Sequence, residues 1–250
     1  MNDSFLFISD IHLGLQSQEA EKKKERLLVE FLKFAGYHAK ELYIVGDLFD
    51  YWFEYKTVYQ KGFFRTLTAM QDLTEAGIEI HYIIGNHDFM HRSFFSEEIG
   101  CKMYEEPVER VLGGKKFYIG HGDGLIKNDR GYNALKKIMR NKKLQRMYSW
   151  IHPDLGISLA SKSSKTSREY TTKKDFGNID GLFDVAAEKI DEGFEYVIFG
   201  HRHKRIFEKY KNGYYVNLGS WLKDPCYGIF TGNEFKIIDI TAGSLSLPEK

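Results

Sequence analysis

Tyr43-Ile44-Val45-Gly46-Asp47 is a short apolar run that ends in glycine and then a carboxylate. A continuous apolar run of this length suits a strand covered on both faces. The same order recurs at Tyr82-Ile83-Ile84-Gly85-Asn86, Phe117-Tyr118-Ile119-Gly120-His121 and Val197-Ile198-Phe199-Gly200-His201, and once more at Leu6-Phe7-Ile8-Ser9-Asp10, where serine replaces glycine. Each is a buried strand, a small residue and a side chain able to ligate a metal. In α/β sheets the ligand crevice lies beyond the carboxyl ends of the strands, so these five ends converge. Glycine lets the backbone turn sharply and approach a site closely. One such run alone would be a strand with a polar turn. Five together, joined by His12 and His203, point to a built site.

Outward from these runs, strands and helices alternate. Strands are expected at Phe5–Ser9, Leu42–Val45, Ile80–Ile84, Lys116–Ile119 and Tyr196–Phe199. Helices are expected at Glu19–Ala35, at Tyr59–Ala76 with Gly77 as its stop, and at Leu182–Glu192 with Gly193 as its stop. This rhythm predicts an α/β sandwich. Asn212-Gly213 and Gly232-Asn233 are hairpin turns, so the last part reads as antiparallel strands. Between Gly124 and Asn178 the rhythm breaks. A basic amphipathic helix is expected over Tyr132–Tyr148, a short one over Trp150–Leu159, and a polar loop over Ser161–Lys174. The chain therefore reads as a core of residues 1–123 and 179–250 interrupted by a helical cap at 124–178.

The composition is that of a folded soluble protein, with 42% hydrophobic and 28% charged residues. No stretch reaches the roughly 18 consecutive apolar residues that cross a bilayer. Met1–Asp10 lacks the marks of a leader and reads as the first strand. Cys101 and Cys226 lie far apart with no metal-like spacing, which predicts free thiols in a reducing compartment, the cytoplasm. Net charge is +1, yet Lys127–Lys174 alone holds 13 Lys/Arg against 3 Asp/Glu, which leaves the rest of the chain at −9. Such a segment suits an anionic ligand or membrane surface. No nucleic-acid module accompanies it, so nucleic acid is not expected as a partner, and no obligate protein partner is indicated.

The donors Asp10, His12, Asp47, Asn86, His121, His201 and His203 include no thiolate. That mixture favours harder or borderline divalent ions such as Mn²⁺, Fe²⁺ or Zn²⁺. Seven donors exceed the needs of one tetrahedral ion, and a carboxylate can bridge two ions roughly 3.5–4 Å apart. Water between two such ions ionises near neutral pH, as hydrolytic two-metal sites require.

Asp10-Ile11-His12, Gly46-Asp47-Leu48-Phe49-Asp50, Gly85-Asn86-His87-Asp88, Gly120-His121 and Gly200-His201-Arg202-His203 resemble the five signature blocks of the calcineurin-like metallophosphoesterases. The resemblance implies a four-layer α/β/β/α sandwich. It also implies one ion on Asp10, His12 and His203, a second on Asn86, His121 and His201, and Asp47 bridging them, with Mn²⁺ the expected metal and Fe²⁺ or Zn²⁺ the alternatives. Gly46–Phe49 with Trp52, Asn86 with Phe89, and His121-Gly122-Asp123-Gly124-Leu125 followed by Asn128, Asp129 and Tyr132 are similar to a narrower family, the UDP-2,3-diacylglucosamine diphosphatases of lipid A synthesis. That similarity implies hydrolysis of UDP-2,3-diacylglucosamine to UMP and 2,3-diacylglucosamine 1-phosphate. It also implies a cap after the His-Gly-Asp block and peripheral contact with the inner face of the cytoplasmic membrane. The substrate would meet Asn86, His87, Asp123, Ser164, Lys165, Arg168 and His201.

Two positions depart from the narrower pattern. His87 stands where those enzymes usually have Arg, and Asp50 where they usually have Glu. The pair resembles the His–Asp dyad of the wider family, with His87 protonating the leaving oxygen and Asp50 orienting its ring. This supports an alternative, a phosphodiesterase or phosphomonoesterase acting on small phosphate esters. Asp123 is expected to orient His201, His203 or substrate, and Asp88 to organise a turn. His38, His81, His91 and His152 have no metal-like neighbours in the sequence and are expected to be structural or solvated.

Overall fold

Alternation of side chains along the strands sorts the chain into layers. The structure, a computed structural model, describes residues 4–126, 130–157, 159, 181–240 and 245. Strands β1 (Ser4–Ile8), β2 (Ala39–Val45), β3 (Glu79–Ile83) and β4 (Lys102–Tyr104) run parallel as neighbours. In the second sheet, β5 (Val108–Leu112), β6 (Lys115–Ile119), β7 (Tyr196–Phe199), β8 (Arg205–Tyr210) and β9 (Gly213–Leu218) take the order β5-β6-β7-β9-β8. The antiparallel strands β10 (Cys226–Phe230) and β11 (Phe235–Asp239) return to the first sheet beside β1.

Phe5, Phe7, Tyr43, Val45 and Ile83 point from the first sheet onto Phe117, Ile119, Ile198, Val216 and Leu218 of the second. The alternate residues Leu6, Ile8, Leu42, Ile44, Ile80 and Tyr82 point the other way. They pack on Leu28, Phe31 and Leu32 of α1 (Gln18–His38) and on Met70 and Leu73 of α2 (Phe64–Glu75). On the far side of the second sheet, Val197, Phe199 and Tyr215 are covered by Leu182, Ala186 and Ile190, which belong to the helix spanning Gly181–Asp191. The result is the expected α/β/β/α sandwich. Coverage on both faces is why the strand runs are unbroken in apolar residues.

Several expected elements change. Helix α2 begins at Phe64 rather than Tyr59, because Gly62 and Phe63 carry positive φ of 104° and 58° and cannot extend a right-handed helix. The single basic helix over Tyr132–Tyr148 is two: α3 (Arg130–Met139) and α4 (Lys142–Tyr148). Asn141 divides them, its side chain accepting the Lys143 and Leu144 amides as an N-cap. The helix Gly181–Asp191 is therefore α5. Of the expected Trp150–Leu159 helix, residues 153–157 and 159 are helical, and Ser161–Lys174 lies outside the described residues. Strand β9 pairs antiparallel with β8 but parallel with β7, so the last part is not purely antiparallel. The short strands β4 and β5 and a π-helical turn at Phe94–Glu98 carry no clear period in the sequence.

Candidate metal centre

The turns that follow β1, β2 and β3 meet those that follow β6 and β7. Asp10, His12, Asp47 and Asn86 come from the first sheet's strand ends, and His121, His201 and His203 from the second's. All seven expected donors are thus brought together. Five of them have left-handed backbones: Asp10 (φ 52°), His12 (49°), Asp47 (53°), His201 (67°) and His203 (53°). Among the described residues only Phe63 and Lys211 are other non-glycines with positive φ. Each such residue costs on the order of 1–3 kcal/mol and persists only where its surroundings hold it. Here Asp10 N–H donates to Gly46 O (3.2 Å), His12 N–H to Asp47 O (3.0 Å) and His201 N–H to Asp10 Oδ2 (3.0 Å).

The small residues before the donors make room. A Cβ on Gly46 would strike the His121 ring, one on Gly85 the Asp47 carboxylate, and one on Gly200 the Ser9 hydroxyl and Asp10 carboxylate. Gly46 also has φ +83°, whereas Gly85 and Gly200 do not adopt the left-handed region. At those two positions close approach, not a sharp turn, demands glycine. Ser9 fills the equivalent place in β1, its hydroxyl within hydrogen-bond reach of the Asp10 carboxylate and of Val45 O at 2.8 Å.

The donors form two overlapping groups. His203 Nε2 lies 3.1 Å from Asp10 Oδ1 and 3.0 Å from His12 Nε2. Asn86 Oδ1 lies 3.0 Å from His121 Nε2 and 2.8 Å from His201 Nδ1. Between them Asp47 Oδ2 is 3.3 Å from His121 Nε2 and 3.8 Å from His12 Nε2, buried and without a hydrogen bond. Its other oxygen accepts His87 N–H at 2.8 Å. An orphaned buried carboxylate oxygen is costly. Two neutral imidazole nitrogens at 3.0 Å are equally unstable if both present lone pairs. Divalent cations satisfy both conditions, so this set fits two ions. His121 is already oriented for it, with Nδ1 against Val45 O at 2.9 Å and Nε2 turned inward.

Electrostatics agree. Burial alone would raise Asp10, but the neighbouring His12 and His203 imidazoles hold it well below the carboxylate range. Asp47 is likewise held low, against burial, by His121 and His87. Burial would depress His121, yet the Asp47 carboxylate lifts it to about 10. His201 is pushed down to about 4, by burial and then by His121. Without a metal, the cage thus keeps a proton where a metal's charge belongs.

Around the cage, His87 Nδ1 lies 3.3 Å from the backbone oxygen of Asp50 and 3.7 Å from its Oδ1. Asp50 Oδ1 is also 3.7 Å from His12 Nδ1, and the His87 ring meets His12 edge-on at 4.9 Å. Asp88 accepts Leu48 N–H and Gly85 N–H, each at 2.9 Å, and the Tyr82 hydroxyl, which organises two turns. Asp123 takes Lys136 at 2.8 Å and Arg140 at 3.5 Å, fastening α3 to the rim. Neither cation was evident as a functional residue from the sequence, nor was Lys24, which reaches the backbone of His12. Ser164, Lys165 and Arg168 lie outside the described residues.

His38 packs on Phe34, His91 is buried among Trp52, Tyr82 and Phe95, and His152 is exposed beside Asp154. His81 corrects its expectation, because Glu41 and Glu79 lie 3.3 and 3.4 Å from its Nε2. Strand register brings these three together from separate parts of the sequence.

A two-sheet sandwich whose strand ends gather carboxylate, amide and imidazole donors for two ions defines a dinuclear metallohydrolase. The chain belongs to the calcineurin-like phosphoesterases, whose family model matches residues 4–205. It is 31% identical to the UDP-2,3-diacylglucosamine hydrolase of Porphyromonas gingivalis over 93% of this chain and 95% of that one. It is 28% identical to the enzyme of that name from Yersinia pseudotuberculosis, over 87% and 91% of the two chains. For the Haemophilus ducreyi enzyme of that name the identity is 26%, over 88% and 93%.

Proposed function

We propose that this chain hydrolyses the pyrophosphate bond of UDP-2,3-diacylglucosamine, releasing UMP and 2,3-diacylglucosamine 1-phosphate. The observation that carries this reading is the length of the similarity to relatives of that name. At 93% coverage it leaves out fewer residues than the insertion contains, so part of the insertion is matched as well as the cage.

Two divalent ions, with Mn²⁺ first and Fe²⁺ or Zn²⁺ as alternatives, would be held by Asp10, His12, Asp47, Asn86, His121, His201 and His203. When bound they supply a nucleophile at neutral pH and positive charge against the oxygens of the reacting phosphorus. The chain's own groups then position the substrate. His87 stands over the His12 side of the cage. Lys136 and Arg140 hold positive charge at the rim, where a pyrophosphate would lie. The departing group is a phosphate, whose second pKa is only about 6, so protonation by His87 contributes little to this reaction.

The insertion, residues 124–178, acts in this reading as the cap. Trp150 is 80% exposed, and Ile138, Leu144, Met147 and Leu155 are exposed with it, beside Lys137, Lys142, Lys143 and Arg146. Exposed apolar side chains close in sequence to basic ones suit acyl chains and an anionic membrane face. Peripheral attachment at the inner face of the cytoplasmic membrane follows, and no described helix is long and apolar enough to cross it. Ser164, Lys165 and Arg168 complete the proposed substrate contacts.

The test is UMP release from detergent-dispersed UDP-2,3-diacylglucosamine by Mn²⁺-loaded protein, with Asp47→Ala as the inactive control. Failure of the loaded protein to cleave this substrate, with turnover of small phosphate esters, would replace this reading by the His87–Asp50 esterase.

A further inference from the structure

At the amino-terminal ends of β2 and β3, away from the catalytic cage, a second group of metal-type donors is assembled. Parallel register sets Glu41 directly beside Glu79 and Tyr43 beside His81, all on the face turned toward the second sheet. Like charges opposed on neighbouring strands are destabilising unless a cation lies between them. Lys102 pairs with Glu79 at 2.6 Å, but both side chains are about half exposed and such a pair contributes little. Deeper in, His81 is 3% exposed, and its Nε2 makes no hydrogen bond while facing both carboxylates.

The distances are informative. Nε2 lies 3.3 Å from Glu41 Oε2 and 3.4 Å from Glu79 Oε2. Those separations exceed the usual range for a neutral N–H···O bond. They match the ligand–ligand edges, roughly 3.4 Å, of a tetrahedral ion bonded at about 2.0–2.1 Å. The outer contacts of a metal-bound imidazole are also in place. His81 Nδ1 is held by the Tyr104 hydroxyl at 3.0 Å, which also accepts Arg110 at 2.7 Å, and Tyr43 OH donates to Glu41 at 2.6 Å. The ring is clamped flat on Tyr43 at 4.5 Å.

We infer that His81, Glu41 and Glu79 form a third divalent-cation site of the zinc type, with solvent on the open Glu79 side as its fourth ligand. The ion displaces Lys102 and ties β2 to β3. Through Tyr104 and Arg110 it also links β4 of the first sheet to β5 of the second. The role is structural, and it does not depend on which phosphoester the catalytic cage cleaves.

The experiment is equilibrium dialysis of the full chain against buffered free Zn²⁺, with metal counted by mass spectrometry. Wild type is expected to hold three ions per chain and Glu79→Gln two, with Glu79→Gln keeping its phosphoesterase activity. Asp47→Ala should lose cage zinc and retain the third ion. As a second readout, Zn²⁺ should raise the Tm of Asp47→Ala but not of the Asp47→Ala/Glu79→Gln double variant. Equal zinc counts in wild type and Glu79→Gln would overturn the site.

Discussion

The ammonium of Lys24 lies 2.7 Å from the backbone carbonyl oxygen of His12, and both residues are buried. Lys24 also pairs with Glu21 at 3.0 Å, and Glu21 accepts the Gly14 and Gln16 amides. One helix face thereby holds the left-handed turn that aims His12 at the cage. Lys24→Met should therefore weaken metal binding by roughly 10–100-fold, the usual cost of losing an outer contact to a ligand. Chelator-competition titration with Mn²⁺ measures it. Unchanged affinity alongside a lowered Tm would reduce Lys24 to a purely structural residue.

Gly85 and Gly77 separate room from backbone conformation. An alanine at Gly85 faces no left-handed strain but collides with Asp47. Gly85→Ala should lose metal and turnover together while the chain stays folded. Gly77 has φ +86° and open space around it, so Gly77→Ala should cost about 1–2 kcal/mol of stability and leave activity intact. Urea unfolding and a turnover assay on each variant distinguish the two.

His87 offers a chemical test of substrate class. General acid catalysis is typically worth about 10²–10⁴-fold when the leaving group needs a proton. With a pyrophosphate substrate His87→Ala should lose less than about tenfold in kcat, whereas with an alkyl phosphodiester it should lose the full amount. Equal losses on both substrates would assign His87 to positioning alone.

Because the Asp47 carboxylate lifts His121 to about 10 against the opposing effect of burial, the metal-free protein carries a proton there at neutral pH. The folded pKa is raised above the ordinary 6.5, so this proton's contribution to stability is complete below pH 6.5 and disappears as pH rises through about 10. The Tm of EDTA-treated protein should accordingly fall between pH 7 and 9.5, with little change in Mn²⁺-loaded protein. Metal loading at pH 8 should also release a proton, detectable by calorimetry in buffers of different ionisation enthalpy.

The thiols give a simpler pH readout. Burial pushes Cys101 up to about 12 and Cys226, despite Arg205 nearby, up to about 11. Neither should react with a disulfide reagent at pH 8.5 in native protein, and both should react once it is unfolded. Rapid native labelling would contradict their burial.

The cage was legible in the sequence for a local reason. Each donor follows a buried strand, so an apolar run, a small residue and a polar end mark Asp10, Asp47, Asn86, His121 and His201 without any contact information. The reason for glycine at 85 and 200 was only half legible. The atoms it avoids, on Asp47 and on Ser9 with Asp10, belong to a neighbouring strand end. The break between α3 and α4 was missed because Asn141 reads as one more polar residue on a basic helix until its side chain is seen capping.

The strands, their apolar faces and the donors at their ends are written along the chain, because periodicity and residue chemistry act locally. Folding in three dimensions sets which donors come within reach of one another, that Lys24 supports His12, that Asp123 grips Lys136, and that Glu41, Glu79 and His81 stand together. Those relations depend on register between strands and on packing between layers. A one-residue shift in register would send Glu79 and His81 to the opposite face of the sheet, and no single segment encodes that choice.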